Sequence, residues 1–160
     1  MATTIAPDSL KLALDTDILT DWRYQRSHAT QAVRDYLARF NAYPQLTAMT
    51  VFEARFGIEN KAVKSGGIDE RLERDRIDPE RLVQACGVLV IGDNAAAIAA
   101  YISARLSDRE RKKHRADIFI AATALAYGYG VATRNQRDFE LIGRYLPPYA
   151  SVLYLAIWKS

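Results

Sequence analysis

The chain has 160 residues, 49% hydrophobic and 26% charged, a composition that excludes the disordered and fibrous classes. That length suits a single domain over residues 1–160, burying roughly two-thirds of its unfolded surface around one core. Lys and Arg total 22 against 19 Asp and Glu, a net charge of +3 that permits a polyanionic partner without requiring one.

From the N-terminus, "MATTIAPDSLK" has neither a basic leader region nor a long apolar run, and no apolar run elsewhere approaches a bilayer span; the expectation is a cytoplasmic protein. "KLALDTDIL" then gives a short buried strand, Leu12 to Leu14, and a turn in which Asp15 or Asp17 caps a helix opening at Ile18. Val33, Tyr36, Leu37 and Phe40 fall at helical spacing, and Asn41 and Pro44 end that helix. "QLTAM" is a strand leading into a helix where Thr50 and Glu53 match the S/T-x-x-E capping box.

The charged stretch "GIDERLERDRIDPERLVQAC" predicts two helices, with Pro79 in the first turn of the second and Asp78 as its cap. "GVLVIGD" is a buried strand that follows directly on Cys86, the sole cysteine, which rules out an internal disulfide and implies a small apolar role in a reducing compartment. Ile98, Ile102 and Leu106 mark a helix, and "SDRERKKHR" an exposed charged loop. "ADIFIAATALAYG" is apolar on most sides, so it predicts a buried helix with Gly128 as its C-cap. "GVATRN" is a strand, "QRDFELIGRY" a short helix and "SVLYLAIW" a final strand. The alternation predicts an α/β protein, a three-layer α/β/α sandwich with a largely parallel central sheet.

In such sheets, binding sites lie beyond the carboxyl ends of the strands. Four acids occupy that position in the sequence: Asp15, Glu53, Asp117 and Asp138. Singly, Asp117 and Asp138 can be helix caps, and Glu53 the capping-box partner of Thr50. Asp17 is the better cap for its helix, which leaves Asp15 without a local structural task. Together the four would repel one another unless some take up protons or a divalent cation neutralises them. With one cysteine and two histidines, the donor set argues against zinc and for Mg²⁺ or Mn²⁺.

"LALDTDIL", "LTAMTVFEARFGI" and "ADIFIAATALAYGYGVATRNQRDFELI" resemble, in order and spacing, the PIN-domain ribonucleases, in particular the VapC-type toxins of bacterial toxin-antitoxin modules. The resemblance spans nearly the whole chain. It implies a metal-dependent endoribonuclease hydrolysing RNA phosphodiester bonds, with Asp15, Glu53, Asp117 and Asp138 as the family's four acids. It makes Asp15 and Asp117 direct metal ligands, with Asp138 and Glu53 completing the site through water or a second metal. Thr133 and Asn135 match a polar pair beside the pocket, and Asp17 a helper position. A cognate antitoxin and a homodimer are the partners implied, with the exposed apolar surface of the second helix available for either. The basic stretch before Asp117 and the long lead before Asp15 depart from the usual family pattern.

RNA also requires cations. Arg109, Arg111, Lys112, Lys113 and Arg115 form the densest cluster, and Arg134 and Arg137 lie close to Asp138 in sequence. A solvated loop explains the first cluster equally well, because Asp108 and Glu110 dilute it. Phe40, Phe52, Phe56, Phe119 and Tyr101 are expected in the core, and Trp22 and Tyr24 beside the site pack rather than stack on bases. Two other functions compete. A haloacid dehalogenase-type phosphatase would use "DTDIL" but wants Thr or Val where Leu19 stands, and a non-cleaving PIN-like module would bind RNA or a partner without needing all four acids.

Overall fold

The computed structural model describes residues 3–160. Among these described residues six strands form one sheet: β1 (Thr3–Ile5), β2 (Leu12–Leu14), β3 (Gln45–Thr47), β4 (Val88–Leu89), β5 (Gly130–Thr133) and β6 (Leu153–Ile157). Their spatial order is β1-β6-β5-β2-β3-β4, and every pairing is parallel. Parallel strands need crossovers, and eight helices provide them: α1 (Thr16–Arg23), α2 (Ser27–Phe40), α3 (Ala48–Lys64), α4 (Glu70–Cys86), α5 (Asp93–Arg105), α6 (Asp108–Lys113), α7 (Arg115–Tyr127) and α8 (Gln136–Gly143).

The side-chain alternation of β2 sorts the two faces. Ala13 packs with α5, α7 and α8, whereas Leu12 and Leu14 pack with Ile18 and Leu19 of α1, Tyr36 of α2 and Cys86 of α4. With both faces of the sheet covered, the three-layer α/β/α expectation holds. Tyr36 also reaches the sheet edge-on, its hydroxyl accepting a 3.1 Å hydrogen bond from the Leu12 N–H. At β5, a Cβ on Gly130 would stand 3.1 Å from the Tyr154 carbonyl oxygen, so the glycine lets β5 approach β6 closely. Among the described residues, no helix is long and apolar enough to cross a membrane.

Five local expectations are corrected. Residues 70–86 form one helix capped by Asp69, with Pro79 inside it and buried, not two helices divided at Asp78. Packing on α3 overrides the break: Arg76 is gripped by Glu59 at 2.8 and 2.9 Å, and Leu72 is buried with Ile58 and Ala62. The segment 107–115 is not a loop, because Ser107 and Glu110 close a capping box that starts α6. Thr50 does not open α3; Thr47 is the cap, accepting from the Thr50 N–H at 3.1 Å, and Glu53 is one turn too far along to complete a box. Phe52 and Phe56 are 58% and 55% exposed, stacked with ring centroids 5.8 Å apart on the outer side of α3. That helix carries apolar residues on two faces, and the stripe through Thr50, Ile58 and Ala62 is the one turned inward. The uncovered aromatic surface is therefore on α3, not α2. Strand β1, pairing with β6 at the sheet edge, is too short for its alternation to show in sequence.

Candidate metal centre

Strand β2 lies at the middle of the sheet, with the chain crossing to β3 on one side and β5 on the other, and the pocket opens where β2 ends. Asp15 is the residue at that end, only 2% exposed. It, not Asp17, is the N-cap of α1: Oδ1 accepts from the Ile18 N–H at 2.9 Å. Oδ2 accepts from the Thr133 hydroxyl of β5 at 2.5 Å. Burial nonetheless pushes its carboxyl up to about 7, against these two hydrogen bonds and the nearby Arg134 charge, which favour ionisation. The cap and the buried carboxylate are thus one residue, and the expectation that Asp15 lacks a local task is overturned.

The neighbouring polar groups are held in turn. Thr16 donates from its hydroxyl to Glu53 Oε1, which leaves Oε2 free and orients Glu53 from α3. Thr50, in the same helix, donates to the Leu14 carbonyl at 3.0 Å and fixes α3 against the end of β2. Thr133 Oγ1 accepts from the Asn135 N–H at 2.9 Å, and the Asn135 amide donates to Asp17 Oδ2. Arg134 is turned toward Asp21, with Nη1 2.9 Å from both carboxylate oxygens and Nη2 3.9 Å from Asp17. Asp21 is buried and also meets His28 Nε2 at 2.9 Å. Asp21 and His28 escaped the sequence reading, although Asp21 lies one helical turn after Asp17 on the same side of α1.

Helix α7 supplies the third acid. Its body is buried almost all round, through Ile118, Ile120, Ala121, Ala122 and Ala124, and Asp117 sits in its first turn. Neither Asp117 nor Asp138, in the first turn of α8, accepts a hydrogen bond among the described residues, so neither acts as a cap. Burial raises Asp117 to about 7, reinforced by repulsion from Asp15, Asp138, Glu53 and Asp17, in that order. The four predicted acids therefore share one electrostatic neighbourhood. His114 joins them: one donor atom each from His114, Asp117 and Asp138 lie within 4.8 Å of one another. Oxygen-rich donors, two with raised affinity for a proton and two without a hydrogen-bond donor, fit a hard divalent cation.

The family model for the PIN domain matches residues 12–145. The chain belongs to the PIN domain family. Among curated proteins, the VapC ribonuclease Y4jK of Sinorhizobium fredii is 32% identical over 134 residues, 82% of this chain and 92% of that protein. Among solved structures, DNA-bound VapBC from Salmonella typhimurium superposes with a TM-score of 0.67 at 23% identity, covering 94% of this chain and 99% of the other. VapBC-1 from nontypeable Haemophilus influenzae gives 0.65 at 18% identity, over 94% and 100%. These likenesses give this PIN domain the same fold as the two complexes' matched chains.

Beside the acids, the PIN domain has a cleft of about 610 Å³ between α6 and α8. Arg109, Lys113, Arg137 and Arg144 line it together with Glu110, Glu140, His114 and Asp138, the last of which it shares with the acidic cluster. Three of these cations were predicted; Arg144 was missed because it follows the short helix, well beyond Asp138 in sequence. Arg111 instead pairs with Asp108 of its own helix and donates to the Ser103 carbonyl of α5 at 3.1 Å, which ties α6 to the end of α5. Lys112 and Arg115 are exposed outside the cleft.

The raised carboxyls fix a pH dependence for the metal-free protein. Asp15 and Asp117 titrate near 7 when folded and near 3.8 when unfolded, so the folded chain binds more protons between those values. Stability without metal falls as pH rises from about 4 to about 7, by at most about 1.4 kcal/mol per pH unit for each group and less than additively for two coupled groups. In EDTA, thermal melts should show a Tm that drops between pH 5 and pH 8, and Asp117→Asn should flatten the drop and raise the Tm at pH 8. An Asp117→Asn profile parallel to the wild type would contradict the assignment of that strain to Asp117.

Proposed function

We propose that this PIN domain is a cytoplasmic, divalent-metal-dependent endoribonuclease, the toxin half of a bacterial toxin-antitoxin pair, acting through Asp15, Glu53, Asp117 and Asp138. The observation that carries the reading is Asp117: its side chain is only 25% exposed, repelled by four other carboxylates, and without a hydrogen bond to offset its charge. Only a cation resolves that arrangement with the carboxylates ionised. The relationship to the VapC ribonuclease Y4jK supports the activity.

Mg²⁺ or Mn²⁺ bound by Asp15, Asp117 and Asp138 would polarise the scissile phosphate and lower the pKa of a water. The chain's own groups do the positioning. Ile18 N–H and Thr133 Oγ1 donate to different oxygens of Asp15, which leaves each oxygen a further lone pair to offer a cation. Glu53, clamped through Oε1 by Thr16, would use Oε2 to take a proton from the water attacking the phosphorus, while the P–O bond to the ribose oxygen breaks in line and that oxygen takes a proton from solvent. Asn135 and Arg134 hold Asp17 at the pocket's edge. The cations of the α6–α8 cleft would carry the RNA backbone to that point.

Two partners complete the proposal. An antitoxin would silence the nuclease, in keeping with the toxin-antitoxin assemblies among the structural neighbours. A second copy would cover Phe52 and Phe56, whose stacked rings form an exposed apolar patch on α3.

Asp15→Asn and Asp117→Asn should each lower metal-dependent RNA cleavage by on the order of 100-fold or more with the circular dichroism spectrum preserved. Full cleavage by either variant would overturn the site, and RNA binding without cleavage by the wild type would favour a non-cleaving module. Replacing Arg109, Lys113, Arg137 and Arg144 by Gln should reduce the slope of log affinity for single-stranded RNA against log salt by about 0.7 for each phosphate that is no longer neutralised; an unchanged slope would place the RNA elsewhere. Sedimentation equilibrium should find a dimer that Phe52→Ser with Phe56→Ser dissociates, whereas a wild-type monomer would remove the homodimer.

A further inference from the structure

His114 terminates α6 and opens α7, and the turn between the two helices folds its ring inward, leaving 5% of the residue exposed. A buried imidazole normally satisfies at least one ring nitrogen with a hydrogen bond. This one makes no side-chain hydrogen bond among the described residues, and its ring nitrogens are not sealed from solvent; its nearest charged neighbour is Asp117, with Nδ1 3.8 Å from Oδ2. That distance is too long for a hydrogen bond. It is short enough for both atoms to reach one cation, since two ligands bonded at about 2.0–2.2 Å can stand up to about 4.2 Å apart. Asp138, which also has a carboxylate oxygen within 4.8 Å of both, completes a three-donor face.

We infer that His114 is a nitrogen ligand of the bound metal, through the ring nitrogen facing Asp117, and that it biases this pocket from Mg²⁺ toward first-row transition ions such as Mn²⁺. The inference rests on the metal pocket proposed above. Its chemical basis is that imidazole nitrogen binds transition ions far better than Mg²⁺, whereas an all-oxygen pocket discriminates mainly by size and ligand number. The other histidine, His28, is occupied with Asp21 at 2.9 Å on α1 and α2.

Having two histidines makes the test direct. Mn²⁺ is added to the full-length protein with ¹⁵N-labelled histidine, and nuclear coupling to the ion is read by pulsed electron paramagnetic resonance. A ¹⁵N histidine coupling should be present in wild type and in His28→Gln, where His114 is the sole remaining histidine, and absent in His114→Gln. Titration should show Mn²⁺ affinity falling about tenfold in His114→Gln while Mg²⁺ affinity changes less than about twofold. Mn²⁺ that binds, is lost in Asp117→Asn, and shows no histidine coupling would overturn this inference and leave the four-acid pocket standing. Failure of the wild type to bind Mn²⁺ at all would overturn both. Should His114→Gln not fold, the wild-type and His28→Gln spectra decide the matter alone.

Discussion

A carboxylate buried at the carboxyl end of the central strand is the constraint around which the molecule is arranged. Asp15 is 2% exposed, and an ionised carboxylate there is costly unless its oxygens are engaged. The Ile18 N–H answers one oxygen because α1 begins immediately after β2, and the Thr133 hydroxyl answers the other because β5 ends in register beside it. These two contacts require the order of elements as well as the residues: a parallel neighbour must finish at the same level, and a helix must start without an intervening loop. The carboxyl is still raised to about 7, so the fold satisfies the hydrogen bonds of Asp15 without neutralising its charge.

The remaining acids reach the pocket on elements whose positions are fixed by packing far from it. Helix α7 is embedded against α5 and the sheet, so Asp117 in its first turn cannot be withdrawn without moving a core helix. Glu53 rides on α3, which Thr50 fastens to the Leu14 carbonyl. Repulsion among the carboxylates therefore cannot relax by backbone movement, and adds to burial in raising proton affinity at Asp15 and Asp117. A pocket that holds protons it would otherwise release has the electrostatics of one shaped for a cation.

The acids were legible because their positions follow from element order alone. Each lies just beyond a strand or within the first turns of a helix at one end of a parallel sheet, and the strand and helix patterns of "LALDTDIL" and "ADIFIAATALAYGYGVATRN" are strong enough to fix that order. What remained hidden depends on distances between elements. Asp15 and Asp17 are both acceptable caps by local chemistry, and only the depth of the β2 end, which buries the first and half-exposes the second, distinguishes them. The Thr50–Glu53 spacing satisfies the capping-box pattern, yet Thr16 from another helix takes Glu53. His114 carried no signal as a lone histidine in a basic run, because its burial comes from the α6–α7 turn, and α6 itself was obscured by charge that suggested a loop. Phe52 and Phe56 keep helical spacing on a face the monomer does not cover, which periodicity cannot distinguish from a core-facing stripe.

Charge is partitioned as sharply as shape. Arg134, the cation nearest the acids in sequence, is tied by Asp21, which is itself tied to His28, so its guanidinium braces the β5–α8 turn against α1 and tempers the field at Asp15 and Asp17. Among the described residues, Arg109, Lys113, Arg137 and Arg144 have no ion-pair partner within 4.0 Å, and all four face the cleft that meets the acids at Asp138. An acidic pocket alone would repel a phosphodiester, and an unbroken basic surface would hold it anywhere along its length. In the function proposed above, a polyanion would come to rest where these cations meet the carboxylates, once a divalent cation had reversed the sign of the pocket. The net charge of +3 is therefore uninformative as a sum; its distribution, with the acids convergent around the buried Asp15 and the cleft bases exposed, is what distinguishes the two regions.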